Sequence, residues 1–243
     1  MWTVAATALI AGLLIGLTGI GGVLLVPVLT QVFGIPIDRA IAASLLGFLV
    51  AGIVAAFVHL RRARLEPLPL VVLCLAAATG ALIGAATLDR LPALAVRLFI
   101  ALLALVSGLH ALASKPSSGR DIPSTRMLGV LGLLVGYGSA ISGTGGPVML
   151  IPLLLALRTP VAPAIALGLA AQLPISAAAT AIYALDDRID LELGATLAAW
   201  LVAGSFGGAL FSRRLSGRGL TAGVALILIV VGVWYGYATL AIP

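Results

Sequence analysis

The chain has 243 residues, 62% of them hydrophobic and 9% charged, with a formal net charge of +6. Soluble domains carry about 25% charged residues, and a soluble chain of this size has no way to hide so much apolar surface; the composition therefore excludes a soluble domain. A lone cysteine, Cys74, excludes an intrachain disulfide and a cysteine-based metal centre, and no basic run is interleaved with aromatics, which excludes a nucleic-acid partner.

Apolar segments fall at about 3–33, 40–60, 67–88, 92–113, 126–157, 161–185, 191–212 and 220–240. A spanning helix needs about 20 residues. Six segments fit, while the first and fifth are too long, and these two contain glycine clusters, "LTGIGGVLLVP" at 17–27 and "AISGTGGPVMLIP" at 140–152. The first segment lacks a positively charged leader and reads as a retained membrane segment. The second carries Ser44 in "AASLLG", and the third carries Cys74, read as plain core. The fourth holds Arg97 near its start, placed to snorkel outward, and His110 toward its end. A polar stretch, "SKPSSGRDIPSTR", then leads into the fifth. The sixth places Gln172 two residues before Pro174, with Ser176 one turn later. A buried amide beside a proline kink is either a ligand contact or interhelical glue. Trp2, Trp234, Tyr235 and Tyr237 read as interface anchors and Trp200 as packing.

The chain repeats itself. "GLLIG" at 12–16 recurs as "GLLVG" at 132–136, and after the glycines the halves align at an offset of about 124 residues, Pro36 on Pro160, Gly80 on Gly204, Gly84 on Gly208. The expectation is one membrane domain made of a first repeat (1–113), a linker (114–125) and a second repeat (126–243). If the two long segments enter, break and return, one face collects Arg61, Arg62, Arg64, Lys115, Arg120, Arg126, Arg158, Arg213, Arg214 and Arg218, and the other keeps Arg39, Arg90, Arg97 and Arg188. That bias is the positive-inside pattern. It makes the repeats inverted and puts both termini on the extracytoplasmic side of the cytoplasmic membrane. The fold class is therefore all-α polytopic: two inverted repeats, each with a glycine-broken re-entrant helix pair plus three spanning helices.

A re-entrant hairpin needs two half-helices. Residues 23–33 make about 16 Å of helix, half a bilayer core, and 147–157 do the same. Pro147 at the restart suits a first helical turn. Exposed amides at each restart sit at the positive end of a helix dipole, an anion site inside the membrane. The candidate substrate residues are Thr18, Gly19, Gly21, Gly22, Ser44, Ser142, Gly143, Thr144, Gly145, Gly146, Gln172 and Ser176. The bland alternative for glycine, close helix packing, suits "GALIG" at 80–84 and "GSFGG" at 204–208.

No Asp or Glu lies mid-span, which argues against a carboxylate proton relay. A coupling Na⁺ or H⁺ stays open, as does a homodimer; no cofactor or metal is expected. A serine hydrolase would need Ser139 or Ser142 beside His59 or His110, and neither serine stands in a nucleophile elbow. An exporter of a cation or of another small metabolite is the remaining alternative.

The paired glycine–proline motifs, the polar linker, "IDRAIAASLLG" and about eight hydrophobic segments together resemble the sulfite exporter TauE/SafE family of membrane permeases. The resemblance covers nearly the whole chain. It implies transport of small sulfur-containing anions such as sulfite, sulfoacetate or other sulfonates, and carries over to Gly19, Gly21, Gly22 and Pro27, with Gly143, Gly145, Gly146 and Pro152. Pro147 adds one residue to the second motif, so the two half-sites are not strict copies.

Overall fold

The structure, a computed structural model, describes residues 2–18, 21–60, 66–113, 122–212 and 218–241, without the side chains of residues 18, 54–60, 211–212 and 218–221. Ten α-helices lie among the described residues: α1 Trp2–Thr18, α2 Leu25–Gln31 entered through a 3-10 turn at Gly22–Leu24, α3 Ile37–Leu60, α4 Pro67–Thr87, α5 Ala93–Ala113, α6 Thr125–Ser142, α7 Pro147–Ala156, α8 Val161–Leu185, α9 Leu191–Ser212 and α10 Arg218–Ala241. Among the described residues, six helical stretches are long and apolar enough to cross a membrane: Pro67–Arg90, Ala93–Ala113, Thr125–Ser142, Val161–Leu185, Leu191–Leu210 and Ala222–Ala241. Their outward faces carry Leu75, Val130, Phe206 and Leu226, each more than half exposed, as expected of a surface solvated by lipid tails.

The long first and fifth segments are each interrupted. Their arms are unequal, contrary to the expectation of two half-helices. α1 and α6, at 17 and 18 residues, are about 26–27 Å long, whereas Gly22–Gln31 and Pro147–Ala156 are about 15 Å. Residues on the two sides of each interruption touch. Gly21 lies against the backbone of Ala11 and Ile15 in α1, and Met149 packs on Gly138, with its Sδ 3.8 Å from the Ser139 hydroxyl.

Glycines set how the long helices meet. Gly132 and Gly136 of α6 face Leu73 and Ala77 of α4, while Gly80 and Gly84 of α4 face Leu133 and Tyr137 of α6. In the same way Gly12 and Gly16 of α1 face Leu201 and Ser205 of α9, and Gly204 and Gly208 of α9 face Leu9 and Leu13 of α1. In both pairs a built Cβ would strike backbone, so the helices approach as closely as small-xxx-small stripes allow. Residue numbers rise together along each pair, so α4 runs parallel to α6 and α1 parallel to α9. In the α5–α10 pair, Gly108 meets Ala225 and Ile229 while Gly232 meets Ala101 and Leu105, an antiparallel register.

Two prolines cut hydrogen bonds inside helices, and neighbouring helices repair both. Pro152 cannot donate to the Val148 carbonyl, and the Ser107 hydroxyl of α5 donates there at 3.1 Å. Pro174 leaves the Ala170 carbonyl without its i+4 donor, and the Cys74 thiol of α4 reaches it at 3.8 Å. Cys74 is thus more than core filler: away from water an orphan carbonyl has no other source of a donor. Tyr235, expected at the membrane interface, is instead fully buried and accepts a hydrogen bond from the Thr30 hydroxyl at 3.2 Å. Trp200, read as packing, is 36% exposed.

Candidate functional site

The second interruption is built from the end of α6. Gly143 takes the left-handed conformation and closes the helix, its N–H bonding to Ser139 O at 3.0 Å, with the Thr144 N–H reaching the same carbonyl at 3.3 Å. The Ala140 carbonyl, one of the orphans at a helix end, accepts from the buried Tyr183 hydroxyl at 3.0 Å. Gly145 and Gly146 follow at φ +75° and +115°, backbone that other residues adopt only under strain. Pro147 then starts α7. The Met149 and Leu150 amides fold onto Gly146 O at 3.1 and 3.0 Å. The N–H groups of Gly145, Gly146 and Val148 meet no acceptor among the described residues. The Ser142 and Thr144 hydroxyls bond one another at 2.9 Å, and every residue from 141 to 148 is buried.

The first interruption uses its glycines differently. Gly21 has an extended φ of −155°. Its value lies in space, since a Cβ there would come 2.7 Å from Ala11 O. A Cβ on Gly22 would sit 2.8 Å from Phe48 Cζ and 3.0 Å from Thr144 O. Gly22 therefore abuts the second interruption directly. From the other side, Gly143 packs against Val26 of α2 and Ile41 of α3.

α3 and α8 cross beside both interruptions. The Gln172 Nε2 donates to Phe48 O at 2.9 Å, between positions 124 residues apart, the same offset that relates the two halves in sequence. The Phe48 ring is 1% exposed and lies along both Gly22 and Gly145. On α3, Ile41 and Phe48 touch the interruptions, and Ser44 shares their helix face at i+3. On α8, Gln172 and Ile175 touch Gly146, and Ser176 stands one turn beyond Gln172 on that face. Ser44 and Ser176 are both fully buried, and neither hydroxyl has a hydrogen-bond partner. A buried hydroxyl left unpaired costs about 1–3 kcal/mol.

Of the twelve residues singled out from sequence, Gly21, Gly22, Ser142, Gly143, Thr144, Gly145, Gly146 and Gln172 come together, with Ser44 and Ser176 on the flanking faces. Gly19 and the Thr18 side chain lie outside the described residues, as do the His59 side chain and the basic residues 61, 62, 64, 115, 120, 213 and 214. Phe48 was not anticipated. A phenylalanine in an apolar run carries no mark of its own, and only the 124-residue offset from Gln172 sets it apart.

No charged side chain among the described residues is buried; the buried polar set consists of serines, threonines and Gln172. Arg97 is half-buried near the start of α5, where its charge acts on Tyr235, the residue bonded to Thr30 at the end of α2. Thr30 is eight residues past Gly22, about 12 Å along the helix. Arg188, in the turn between α8 and α9, forms an ion pair with Asp89 and approaches Asp186 at 3.6 Å. The Asp89 carboxylate raises the Arg188 guanidinium above its ordinary range, so it stays charged at any working pH. His110 lies in the last turn of α5, half-buried.

No curated protein and no solved structure matches the chain. Stretched over a chain of apolar helices with two abutting interruptions, a family model does match, that of sulfite exporter TauE/SafE, across residues 4–235. That family is one of transporters, not enzymes, which sets aside the serine hydrolase. The chain is a multi-pass membrane transporter, and it belongs to the sulfite exporter TauE/SafE family.

Proposed function

We propose that this transporter is a permease of the cytoplasmic membrane for sulfite, sulfoacetate or a related sulfonate, and that the anion is held where the two interruptions meet. The single observation that carries the reading is that contact: Gly22 against the Thr144 carbonyl, beside amides before and at the start of α7 that meet no acceptor among the described residues, and four buried hydroxyls. A helix N-terminus with free N–H groups attracts negative charge. No cation is needed to hold a small anion if enough donors converge.

Two inverted halves with re-entrant interruptions account for the helix directions. Suppose that the long helices α3, α4, α5, α8, α9 and α10 alternate across the membrane. An antiparallel α5–α10 pair then requires α7 to return to the face from which α6 entered. A parallel α1–α9 pair requires the same of α2 and α1. The contacts support the same symmetry, since α4 on α6 exchanges with α9 on α1, and α3 meets α8 at the equivalent residues 48 and 172. With positive-inside charge, both termini lie outside.

An inside-negative potential favours anion exit by about 2.3 kcal/mol per charge at 100 mV. Export therefore needs no coupling ion, and efflux is the favoured direction. The test is flux in proteoliposomes loaded with sulfite, sulfoacetate, thiosulfate or taurine, with and without an imposed potential. Efflux of sulfite or of another of these sulfur anions, faster when the interior is negative, is the expected result. Flux blocked by inorganic cations but indifferent to competing anions would overturn the anion reading in favour of cation export.

A further inference from the structure

We infer that the site takes singly charged anions and refuses dianions, so that of the two sulfite species present near neutral pH the protein carries hydrogensulfite. This rests on the anion-permease reading above and narrows its substrate class to hydrogensulfite and singly charged sulfonates, leaving out sulfoacetate, whose carboxylate makes it a dianion near neutral pH.

The observation is the kind of positive charge that the site lacks. Among the described residues, the buried polar side chains around the interruptions are neutral: Ser142 and Thr144 at the second, Ser44 on α3, Gln172 and Ser176 on α8. Arg97 acts on Tyr235, the residue bonded to Thr30 toward the far end of the first half-helix, and its buried Nε has no hydrogen-bond partner there. What remains is dipolar. The ten-residue helices Gly22–Gln31 and Pro147–Ala156 each offer roughly half a positive charge at their N-termini. The Gly145, Gly146 and Val148 amides, which meet no acceptor among the described residues, and the Ser44 and Ser176 hydroxyls add donors without net charge.

Such a set balances about one negative charge. The cost of moving an ion out of water grows with the square of its charge, so a dianion pays about four times the penalty of a monoanion. A dianion would arrive with one charge uncompensated among Phe48, Ile41, Val26 and Ile175, the apolar side chains that pack on these glycines. A hydrogensulfite or alkylsulfonate fits both terms: one charge for the dipoles, several oxygens for the hydroxyls, and for a sulfonate a small apolar group against the Phe48 ring. Apart from tyrosines and Cys74, the titratable residues on the elements packed around the interruptions lie toward helix ends: Asp38, Arg39 and His59 on α3, Arg97 and His110 on α5, Arg126 on α6 and Arg158 beyond α7.

The experiment uses the intact protein in proteoliposomes, with protein-free liposomes as blank, between about pH 6.5 and pH 8.5. Three probes are compared: sulfite, methanesulfonate (a monoanion throughout) and sulfate (a dianion throughout). At fixed total concentration, below saturation, sulfite flux is expected to fall with pH, approaching about tenfold per unit once the dianion dominates. Methanesulfonate flux is expected to stay level and sulfate flux to remain at the blank. The methanesulfonate series separates substrate protonation from any effect of His110, which would move all the probes together. Sulfite flux that holds level or rises with pH, or sulfate flux comparable with methanesulfonate, overturns the inference while leaving an anion permease standing. Absence of flux for every anion at every pH removes the permease reading itself, and the inference with it.

Discussion

At the scale of single residues, the interruptions show glycine serving two different needs. Gly145 and Gly146 are required by their backbone angles, and Gly22 by the space that Phe48 and Thr144 O leave it. The expected consequences differ. Gly145→Ala fits poorly at φ +75° and costs about 1–2 kcal/mol of stability, read as a lower Tm in detergent. Gly22→Leu must displace Phe48 and is expected to stop flux in protein that still reaches the membrane. Ser176→Ala removes an unpaired hydroxyl, so the apo protein gains or holds stability while substrate affinity falls about 10-fold or more, the worth of a hydrogen bond to a charged group. A Ser176→Ala protein with unchanged KM for sulfite would remove that serine from the site. Gln172 was legible as a lone amide in an apolar span. Its partner was not, because a backbone carbonyl has no signature in sequence.

At the scale of helices, the sequence announces where a bond is broken and is silent on what repairs it. Pro152 and Pro174 say that the carbonyls of Val148 and Ala170 lose their donors; nothing in the chain says that Ser107 and Cys74 supply them. Those partners come from helices distant in sequence, set by packing alone. Ser107→Ala is expected to leave Val148 O unsatisfied and lower stability by about 1–3 kcal/mol, a drop of several degrees in Tm. Ser107→Cys is expected to recover part of it, since the thiol is a weak donor. The packing glycines were legible as small-xxx-small stripes, and Gly80 and Gly204 do face backbone across the α4–α6 and α1–α9 contacts. The length of α1 and α6 was missed. Glycine marks where a helix stops, but the composition of the helix before it does not say how long that helix is.

At the scale of the whole molecule, the apolar composition, the repeat and the family resemblance were all readable from the chain, since each is a property of sequence itself. The meeting of the two interruptions was readable only as a consequence of inverted symmetry, and that symmetry rests on helix directions and on 14 basic residues. It has a direct topological test in a Cys74→Ser background. Arg126→Cys at the start of α6 and Arg158→Cys just beyond α7 are expected to react with a membrane-impermeant thiol reagent from the same side, and Arg39→Cys from the opposite one. Reaction of positions 126 and 158 from opposite sides contradicts the re-entrant arrangement.

The most direct test of the central claim, that the abutting interruptions hold the anion, is efflux of labelled sulfite from proteoliposomes at an inside-negative potential, comparing the native protein with Gly146→Leu. A leucine at φ +115° would meet Ile175 at the heart of the contact. The account predicts potential-driven efflux from the native protein and none from a variant that is inserted in the bilayer in equal amount. Native-rate efflux through that variant would contradict it.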